Sequence, residues 1–400
     1  MGAGKLIPPG AAVAALAALA VAGSGHARAG ETTVSCGETL KASVRLANDL
    51  SDCPGTGLII GADNITVDLN GHTIDGTNRK EGIANEKHAN VTIVNGTIRD
   101  FHAGGVNVSG ARGVVLRKLT VRKIGVGGKP QEINAGFVLF NCPRARITDN
   151  VLSNHVRVAG AAVNGLDVYG SPGARVERNR FDRNVGDGIS VFGSPRSRLI
   201  GNRLEGNGRN GIHLNSGSDS TWVTGNQARG NRSAGIAIGA LRNGRVLGNT
   251  VSGNGEVGLL LFDLSGTTIR GNRARGNANG IVLYAGQAGV AQYGGKHGSR
   301  HNRLVANSTR NNARAGIRVR GDGGKDRADD NVVAGNVANG NGRDGGIVIE
   351  GKATGNRLRG NTANGNAGHG ISAVRGSIDS GGNRAHRNRR RPQCIGVSCS

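Results

Sequence analysis

The stretch that decides the fold lies between Asn179 and Gly280, where one phrase recurs with little change. It reads GNRLEGNGRNGIHL at 201–214, GNQARGNRSAGIAI at 225–238 and GNTVSGNGEVGLLL at 248–261. The first asparagine of the phrase recurs in steps of 23, 24, 23 and 23 residues, at Asn179, Asn202, Asn226, Asn249 and Asn272. A second asparagine follows five residues later, and then a glycine followed by alternating aliphatic residues. A fixed period of this length indicates a repeat array.

Each repeat offers three short apolar sites, such as Ile189 with Val191, Leu199 with Ile200, and Leu204. The apolar residues alternate with period two between glycines, a pattern typical of short strands rather than helices. A repeat of about 23 residues accommodates three strands and three turns, which make one coil of a parallel β-helix. One coil cannot bury its own side chains, so coils stack at the ~4.8 Å strand spacing of a sheet.

Disorder is the alternative, since the chain has 71 glycines and only 2% aromatic residues. It does not explain why Ile, Leu or Val returns at one phase of every repeat. Stacked asparagines also fit coils, because their amides can hydrogen-bond to one another and asparagine tolerates the backbone angles of a tight turn. The first asparagine column is traced back through Asn150 and Lys118 to Asn95 and Asn70, and forward to Asn307, Asn336, Asn361 and Asn383.

These repeats resemble those of the right-handed parallel β-helix superfamily, which includes pectate lyase-like proteins. The resemblance covers residues 57–383 and implies an all-β, single-domain right-handed parallel β-helix of about a dozen three-strand coils. It implies an asparagine ladder in the turn between the second and third sheets. It also implies that the Gly-Ile-x-Val strands form the first sheet, where enzymes of the superfamily bind polysaccharide. Because this fold hosts many activities, the resemblance predicts fold more sharply than function.

Residues 1–29 have the form of a secretory signal peptide. Lys5 precedes a 12-residue apolar run, Ala11–Ala22, and Ala27-Arg28-Ala29 has the small-x-small form of a cleavage site. Twelve apolar residues are too few to span a bilayer, and no other stretch is apolar enough. We therefore expect a secreted protein, extracellular or at the cell surface, with no membrane span.

The five cysteines agree with an oxidising compartment. Cys36 and Cys53 bracket the segment before the first coil, and Cys394 and Cys399 lie together in the last seven residues. Pairing within each end is the economical prediction. Cys142 is left over and is predicted to be a small buried hydrophobe.

The two ends of the repeat region resemble the caps of secreted bacterial β-helix proteins. The resemblance implies an N-terminal cap at 30–56 and a C-terminal disulfide clip within a basic tail at 384–400, whose basic run we expect to be solvated. A cap covers the apolar stack and the unpaired strand edges of the first coil. Capped ends argue against end-to-end stacking, so we expect a monomer.

The formal net charge is +24, and removing Lys5 and Arg28 with the signal leaves +22. Such a charge attracts polyanions, which outside the cell include uronate polysaccharides, teichoic acids and DNA. The arginines, however, occur on several sides of the coil rather than in one stripe. Because the chain carries no nucleic-acid recognition motif, we expect no specific nucleic-acid partner. We expect a polysaccharide partner, in the main hypothesis an anionic one.

Wider spacings between repeats predict four loops beside the first sheet: Arg122–Ala135, His155–Asn164, Tyr284–His301 and Arg320–Asp329. Insertions on one face commonly mark the binding face. Counting from the glycine of each first-sheet strand, positions +2 and +4 point outward. Of the nine Phe and Tyr residues in the chain, five stand in the +4 column. We predict that this column binds substrate, through Phe140, Tyr169, Phe192, Asn215, Phe262 and Tyr284. The alternative is that each ring shields the end of a strand.

The +2 column places Asp167, Ser190 and His213 on consecutive coils. This is not a catalytic triad, because Ser190 lies in the middle and Asp167 is ~9.6 Å from His213, two strand spacings away. Asp167 and Asp187 are ~11 Å apart at their Cα atoms by the same geometry, whereas glycosidase carboxyl groups lie about 5–9.5 Å apart. If the protein is an enzyme, we predict Asp167, Asp187 and His213 as the catalytic residues of a hydrolase or lyase. A lyase would use His213 or His155 as base.

No cofactor is predicted. The glycine-rich loop with Asp322, Asp326, Asp329 and Asp330 offers oxygen ligands for Ca²⁺, but Lys325 and Arg327 interrupt it and favour an ordinary solvated loop. The Asp-Pro-His-Asp motif of mannuronan epimerases is absent. The competing hypothesis for the whole chain is a non-catalytic extracellular structural or surface protein whose repeats only form a stiff rod.

Overall fold

The computed structural model describes residues 30–125, 134–156, 162–286, 298–324 and 326–400. The expected signal segment, 1–29, and most of the first three predicted loops lie outside these ranges. The described residues form strands, turns and bends, with no helix among them. None of them therefore forms a helix that could cross a membrane.

Sheet 1 is a single stack of 15 strands. Its strands pair in parallel and in constant register, so that Ile189 lies beside Ile212 and Ile212 beside Ile236. The strands are Glu38–Leu40, Leu58–Ile60, Glu81–Glu86, Gly104–Ser109, Ala135–Phe140, Asn164–Tyr169, Ile189–Phe192, Ile212–Leu214, Ala234–Gly239, Val257–Phe262, Asn279–Ala285, Ala315–Gly321, Gly345–Gly351, Ile371–Ala373 and Cys394–Ile395.

Sheets 2 and 3 follow sheet 1 in each coil and are joined by two long strands, Thr92–Arg99 and Val115–Arg122, that run through both. Sheet 2 contains Glu31–Thr32, Val44–Leu46, Thr66–Asp68, Arg146–Thr148, Arg175–Glu177, Arg198–Ile200, Trp222–Thr224, Arg245–Leu247, Thr268–Arg270, Arg303–Val305, Val332–Ala334, Arg357–Arg359 and Ile378–Asp379. Sheet 3 contains Leu50–Cys53, Thr73–Gly76, Val151–Ser153, Arg180–Asp182, Arg203–Glu205, Gln227–Arg229, Thr250–Ser252, Arg273–Arg275, Ser308–Arg310 and Val337–Asn339.

The core runs through the centre of the coils as columns of identical or similar aliphatic side chains. Ile189, Ile212, Ile236, Leu259 and Ile281 have 0% exposure, one from each consecutive coil of sheet 1. Because the period-two alternation turns every second residue inward, the three sheets together enclose one continuous apolar stack. This confirms the predicted all-β solenoid.

Two asparagine ladders bound sheet 3. In the first, between sheets 2 and 3, each amide Nδ2 donates to the Oδ1 of the next coil's asparagine at 2.9–3.1 Å, from Asn150 through Asn272 to Asn383. The second runs from Asn184 to Asn388 between sheet 3 and sheet 1, at 2.8–3.1 Å. The forward trace of the first asparagine column is thereby confirmed.

The backward trace of the first ladder is right at Asn150 and wrong by one residue at Lys118 and Asn95. The backbone N–H of Leu119, not Lys118, donates to Asn150 Oδ1 at 2.9 Å, and Leu119 lies beside Gly96. Asn95 and Lys118 instead occupy the left-handed corner before the ladder position, with φ of 61° and 53°. In most later repeats glycine fills that corner and asparagine follows it, although Arg178 and Ala306 also occupy it. Asparagine, like glycine, is found in the left-handed region. In the phrase N-G the asparagine therefore occupies the corner and the glycine the ladder position, the reverse of G-N.

Both ends of the solenoid are closed by disulfides, Cys36–Cys53 and Cys394–Cys399, as predicted. Cys142 is a buried free thiol. The segment 30–56, expected as a cap, itself supplies strands to all three sheets. The basic tail is more ordered than expected of a solvated run, because Asn388 Nδ2 donates to Gln393 Oε1 at 2.9 Å and so ends the second ladder.

Candidate functional site

A short polar ladder crosses three coils at the start of the sheet 1 strands. Asn164 Oδ1 accepts a hydrogen bond from the backbone N–H of Asp187 at 2.7 Å. Asp187 Oδ1 in turn accepts from the backbone N–H and the side-chain Nδ2 of Asn210, at 2.8 and 2.9 Å. Each member precedes the glycine of its strand, so the register of sheet 1 stacks them. The ladder fixes the carboxyl group of Asp187.

The second oxygen of Asp187 faces His213. Asp187 Oδ2 lies 3.4 Å from His213 Nδ1, and the two side chains are 4% and 17% exposed. With donors on one oxygen and an imidazole beside the other, these contacts suit a carboxylate. His213 is the more exposed of the two residues and orients the carboxyl group of Asp187 from the outward side of sheet 1.

Asp167 lies one coil earlier and is bound to the same asparagine. Asn164 Nδ2 donates to Asp167 Oδ1 at 2.8 Å, and the Asp167 residue is 2% exposed. The pKa of Asp167 is raised to about 7, mainly by burial. The charge of Asp187 also raises this pKa, whereas hydrogen bonds with Asn164 and Ser190 lower it. The two carboxyl groups, whose convergence the sequence did not require, are therefore electrostatically coupled neighbours.

Tyr169 and two phenylalanines lie beside this pair. Phe140, Tyr169 and Phe192 occupy one column on three consecutive coils. Phe140 and Phe192 are 47% and 39% exposed, and the Tyr169 and Phe192 rings are 6.4 Å apart at their centroids. Burial, followed by the charges of Asp167 and Asp187, raises the pKa of Tyr169 well above its usual range, so its hydroxyl stays protonated.

The rest of the predicted aromatic column is not a continuous exposed row. Asn215 and Phe262 are buried, with 1% and 3% exposure. The Phe262 ring lies over Gly239, where an added Cβ would meet it at 2.1 Å, so this ring shields its strand. Tyr284 is partly exposed and its hydroxyl hydrogen-bonds to Asp322. The structure thus groups Phe140, Tyr169 and Phe192 with the acid pair and separates Phe262 and Tyr284 from it.

The second candidate base, His155, lies inside the stack. It is 1% exposed and occupies the second ladder, where its Nδ1 accepts from the backbone N–H of Ile124 at 3.3 Å. Burial lowers the pKa of His155 to about 3, so the ring is neutral. His155 is consequently a core residue and not a catalytic base on the outward face of sheet 1.

The acidic loop at 322–330 divides its carboxylates among separate partners. Asp322 Oδ1 accepts from Arg320 Nε at 3.0 Å, and Asp329 accepts from Arg327 Nε at 2.5 Å and Thr354 Oγ1 at 3.1 Å. In the described ranges, no three His, Cys, Asp or Glu residues gather as metal ligands would.

Sequence reasoning missed Asn164 and Asn210, which hold the two carboxyl groups. The signal is present in the sequence as Asn-Gly, Asp-Gly and Asn-Gly at 164–165, 187–188 and 210–211. Reading the column before the glycine, in addition to the outward columns, reveals an Asn-Asp-Asn stack.

The family model described as "Right handed beta helix region" matches residues 46–164 and 164–294, more than half of the chain. The chain belongs to this right-handed β-helix family. A comparison with curated proteins found no match.

Solved structures support the same fold. A double mutant of the periplasmic alginate epimerase AlgG is 14% identical, with a TM-score of 0.57, over 81% of this chain and 78% of that one. The Dettilon tailspike protein is 14% identical, with a TM-score of 0.50, over 86% of this chain and 62% of that one. The A-module of the Azotobacter vinelandii mannuronan C-5 epimerase AlgE6 is 14% identical, with a TM-score of 0.48, over 93% and 90%. At these identities the likeness is one of β-helix fold.

Proposed function

We propose that the protein is an exported carbohydrate-active β-helix enzyme that hydrolyses a polysaccharide bound along sheet 1. Asp167 acts as general acid and Asp187 as general base or nucleophile. The observation that supports this most is the shared contact with Asn164, whose Nδ2 donates to the carboxyl group of Asp167 and whose Oδ1 accepts from the backbone N–H of Asp187. The disulfides at both ends support export to an oxidising compartment.

The chemistry follows from the protonation states. A glycosidic oxygen leaves as an alcohol only if it receives a proton, so one carboxyl group must hold its proton near neutral pH. Burial gives Asp167 a pKa of about 7. The partner must instead be a carboxylate, and Asp187 accepts two hydrogen bonds from Asn210 beside the His213 ring. His213 acts as a positioning residue for Asp187.

A hydrolase fits these surroundings better than a lyase. Eliminating a uronate requires neutralisation of its carboxylate as well as a base. In the +2 column of the strands that carry and flank the pair, which holds Val138, Asp167, Ser190, His213 and Ala237, there is no Arg or Lys. The carboxylate of Asp187 would repel an anionic sugar. We therefore infer that the sugar at the cleavage point is neutral.

The rings of Phe140, Tyr169 and Phe192 supply the sugar subsites in this proposal. They stand on consecutive coils about 4.8 Å apart, and aromatic faces pack on the apolar faces of sugar rings. The acid pair lies at the same coils as the rings, so a chain following the column passes the carboxyl groups.

The test is incubation of the purified protein with neutral and acidic polysaccharides. Reducing-end release reports hydrolysis, and ultraviolet absorbance of unsaturated uronate reports elimination. We expect reducing ends without absorbance, at least about 10²-fold slower with Asp167→Asn or Asp187→Asn. Asp330→Asn is the matched control, because Asp330 is exposed in a left-handed corner that asparagine tolerates, with φ of 54°. Unsaturated products, or unchanged turnover in both variants, would contradict the assignment.

One observation favours the competing function, a non-catalytic rod. Asp167 and Asp187 are only 2% and 3% exposed, as acceptors that merely complete the polar ladder would be. In that case Asp187→Asn destabilises the protein and no polysaccharide is cleaved. Turnover on any polysaccharide that depends on Asp187 excludes this function.

A further inference from the structure

Sheet 2 carries a column of basic side chains that the site on sheet 1 does not use. Arg146 lies beside Arg175, Arg175 beside Arg198, Arg198 beside Trp222 and Trp222 beside Arg245. The sequence shows arginines on several sides of the coil, but the register aligns these four on one outward face. Arg146, Arg175 and Arg245 are exposed and Arg198 is half-buried. We call these five residues the arginine column.

Trp222, the only tryptophan of the chain, is part of the column. The guanidinium carbons of Arg198 and Arg245 lie 4.9 and 4.7 Å from the centre of its ring, from the coils on either side. Both are within cation–π distance. The ring therefore fixes two guanidinium groups instead of offering its own faces to a ligand.

The charges of the column lack carboxylate partners. No carboxylate oxygen of the described residues lies within 4.0 Å of the guanidinium nitrogens of Arg146, Arg175, Arg198 or Arg245. Glu177 is the one acidic residue among the outward positions of these five strands, and it lies 3.8 Å from Arg178. Arg117, Arg146 and Arg175 line a cleft of about 300 Å³ that Glu177 also borders.

We propose that the arginine column binds an anionic polysaccharide running parallel to the axis of the solenoid. Like charges stacked ~4.8 Å apart repel one another, and an aligned polyanion relieves this repulsion. Guanidinium groups bind carboxylates and sulfates through paired N–H donors. Binding along the column needs roughly one acidic group for each coil, and a polysaccharide with one carboxylate or sulfate per sugar provides this, since a sugar ring is about as long as a coil is high.

Duplex DNA fits the column less well. Its phosphates advance ~3.4 Å along the helix axis per nucleotide on a strand that winds around that axis, whereas the arginines form a straight row. The column has no base-reading elements either. The polysaccharide is therefore the favoured occupant, and DNA is an outcome of the test.

This surface goes beyond the proposed hydrolase, because it lies on a different sheet and is tested by binding alone. Asp187→Asn should abolish cleavage and leave binding at the column intact. Failure of one proposal is thus distinguishable from failure of the other.

The experiment measures the Kd of the protein for labelled polygalacturonate, dextran sulfate, neutral dextran and a DNA duplex across a salt series. The test variant combines Arg146→Gln, Arg175→Gln and Arg198→Gln. The control variant combines Arg273→Gln, Arg275→Gln and Arg310→Gln, which remove the same charge from exposed positions on sheet 3. Circular dichroism checks that both variants are folded.

We expect binding to polygalacturonate, dextran sulfate or both, and none to neutral dextran. The test variant should raise Kd about tenfold or more and flatten the salt dependence, while the control changes Kd less than about threefold. A preference for one polymer identifies carboxylate or sulfate as the group bound. Equal weakening by both variants, no binding to either anionic polysaccharide, or tighter binding of DNA through the column would overturn the proposal.

Discussion

At the scale of single residues, Asp167 and Asp187 show how one fold gives two carboxyl groups different chemistry. Asp167 receives a side-chain hydrogen bond from Asn164 and is otherwise enclosed, so burial disfavours its charge. Asp187 accepts from a backbone N–H and an amide, and faces an imidazole. The difference arises from which side of the ladder each residue occupies.

The first prediction concerns stability against pH. Asp167 titrates near its ordinary 3.8 when unfolded and at about 7 when folded. Between these values the folded chain binds more protons than the unfolded chain, so stability falls as pH rises from about 4 to about 7. Asp167→Asn removes this loss, and at pH 8 it should be more stable than the wild type by about 2–4 kcal/mol. Urea unfolding at pH 4 and pH 8 measures the difference, which should nearly vanish at pH 4.

The second prediction concerns His213. Because its imidazole orients Asp187 from the partly exposed side, His213→Ala should lower kcat about 10- to 100-fold with little change in KM. His213→Gln, which retains a hydrogen-bond donor, should recover part of the rate. Ser190→Ala cannot serve as the control for His213→Ala, because Ser190 is hydrogen-bonded to Asp167. A purely structural histidine would change the melting temperature and leave kcat per folded molecule unchanged.

The residue-scale site could be predicted only in part. Alternation along the strands identifies Asp167, His213 and the outward rings, because side-chain direction in a strand follows parity. Parity fails for Asp187, which precedes the strand in a turn. Its backbone direction depends on hydrogen bonds to Asn164 and Asn210 in neighbouring coils. That is a contact between residues 23 positions apart in sequence, and it shows only when the residues before the strand glycines are compared between repeats.

At the scale of elements, the asparagine ladders are the main polar support of the coils. Asn226 Oδ1 accepts from the backbone N–H and side chain of Asn202 at 2.9 and 3.0 Å, and its Nδ2 donates to Leu199 O and Asn249 Oδ1 at 2.8 and 3.1 Å. The amide is 0% exposed. Every polar atom of the side chain is therefore satisfied out of water.

The third prediction follows from this ladder. Asn226→Ala leaves the Asn202 donors and the Leu199 carbonyl unpaired in the interior, and should destabilise the protein by about 2–4 kcal/mol. The neighbouring Gln227 is exposed at the start of the strand that follows Asn226, and Gln227→Ala should cost less than about 0.5 kcal/mol. Urea midpoints compare the two variants. Equal effects would show that the ladder contributes no more than a surface position.

Prediction of the elements succeeded where the aliphatic positions and the asparagine positions repeat together. The period of the aliphatic and asparagine positions predicts strands, turns and ladder for the regular coils. It failed before Asn150, where Leu119 and the adjacent Gly96 take the ladder position and leave no polar marker. Asn70 and Asn95 then drew the trace to the corner residue, because asparagine suits both roles.

At the scale of the whole molecule, the two ends decide how the stack frays. A solenoid is stabilised by contacts between neighbouring coils, and its terminal coils have only one neighbour. Cys36–Cys53 closes a sequence separation of 17 residues at the first coil, and Cys394–Cys399 one of 5 at the last. Each covalent link restricts the unfolded chain at the point where packing is weakest.

The fourth prediction compares these links. Loop closure assigns about 3 kcal/mol to the N-terminal disulfide and about 2 kcal/mol to the C-terminal one. The paired variant Cys36→Ser with Cys53→Ser should therefore lower the melting temperature more than Cys394→Ser with Cys399→Ser. Hydrogen exchange should show faster opening confined to the affected end. Loss of protection throughout the stack in either variant would mean that the coils unfold as one unit.

The measurement that tests the acid pair most directly needs no substrate. Carbon-13 NMR of aspartate carboxyl groups, followed from pH 3 to pH 9 in the wild type and in Asp167→Asn, reports the titration of each group. The structure predicts one carboxyl with a pKa of about 7 that disappears in the variant. Asp263, whose pKa burial raises to about 6, is told apart because its signal persists in the variant. If the signal lost in Asp167→Asn titrates below about pH 5, as unperturbed aspartates do, Asp167 is not a proton donor at neutral pH and the proposed hydrolase mechanism is wrong.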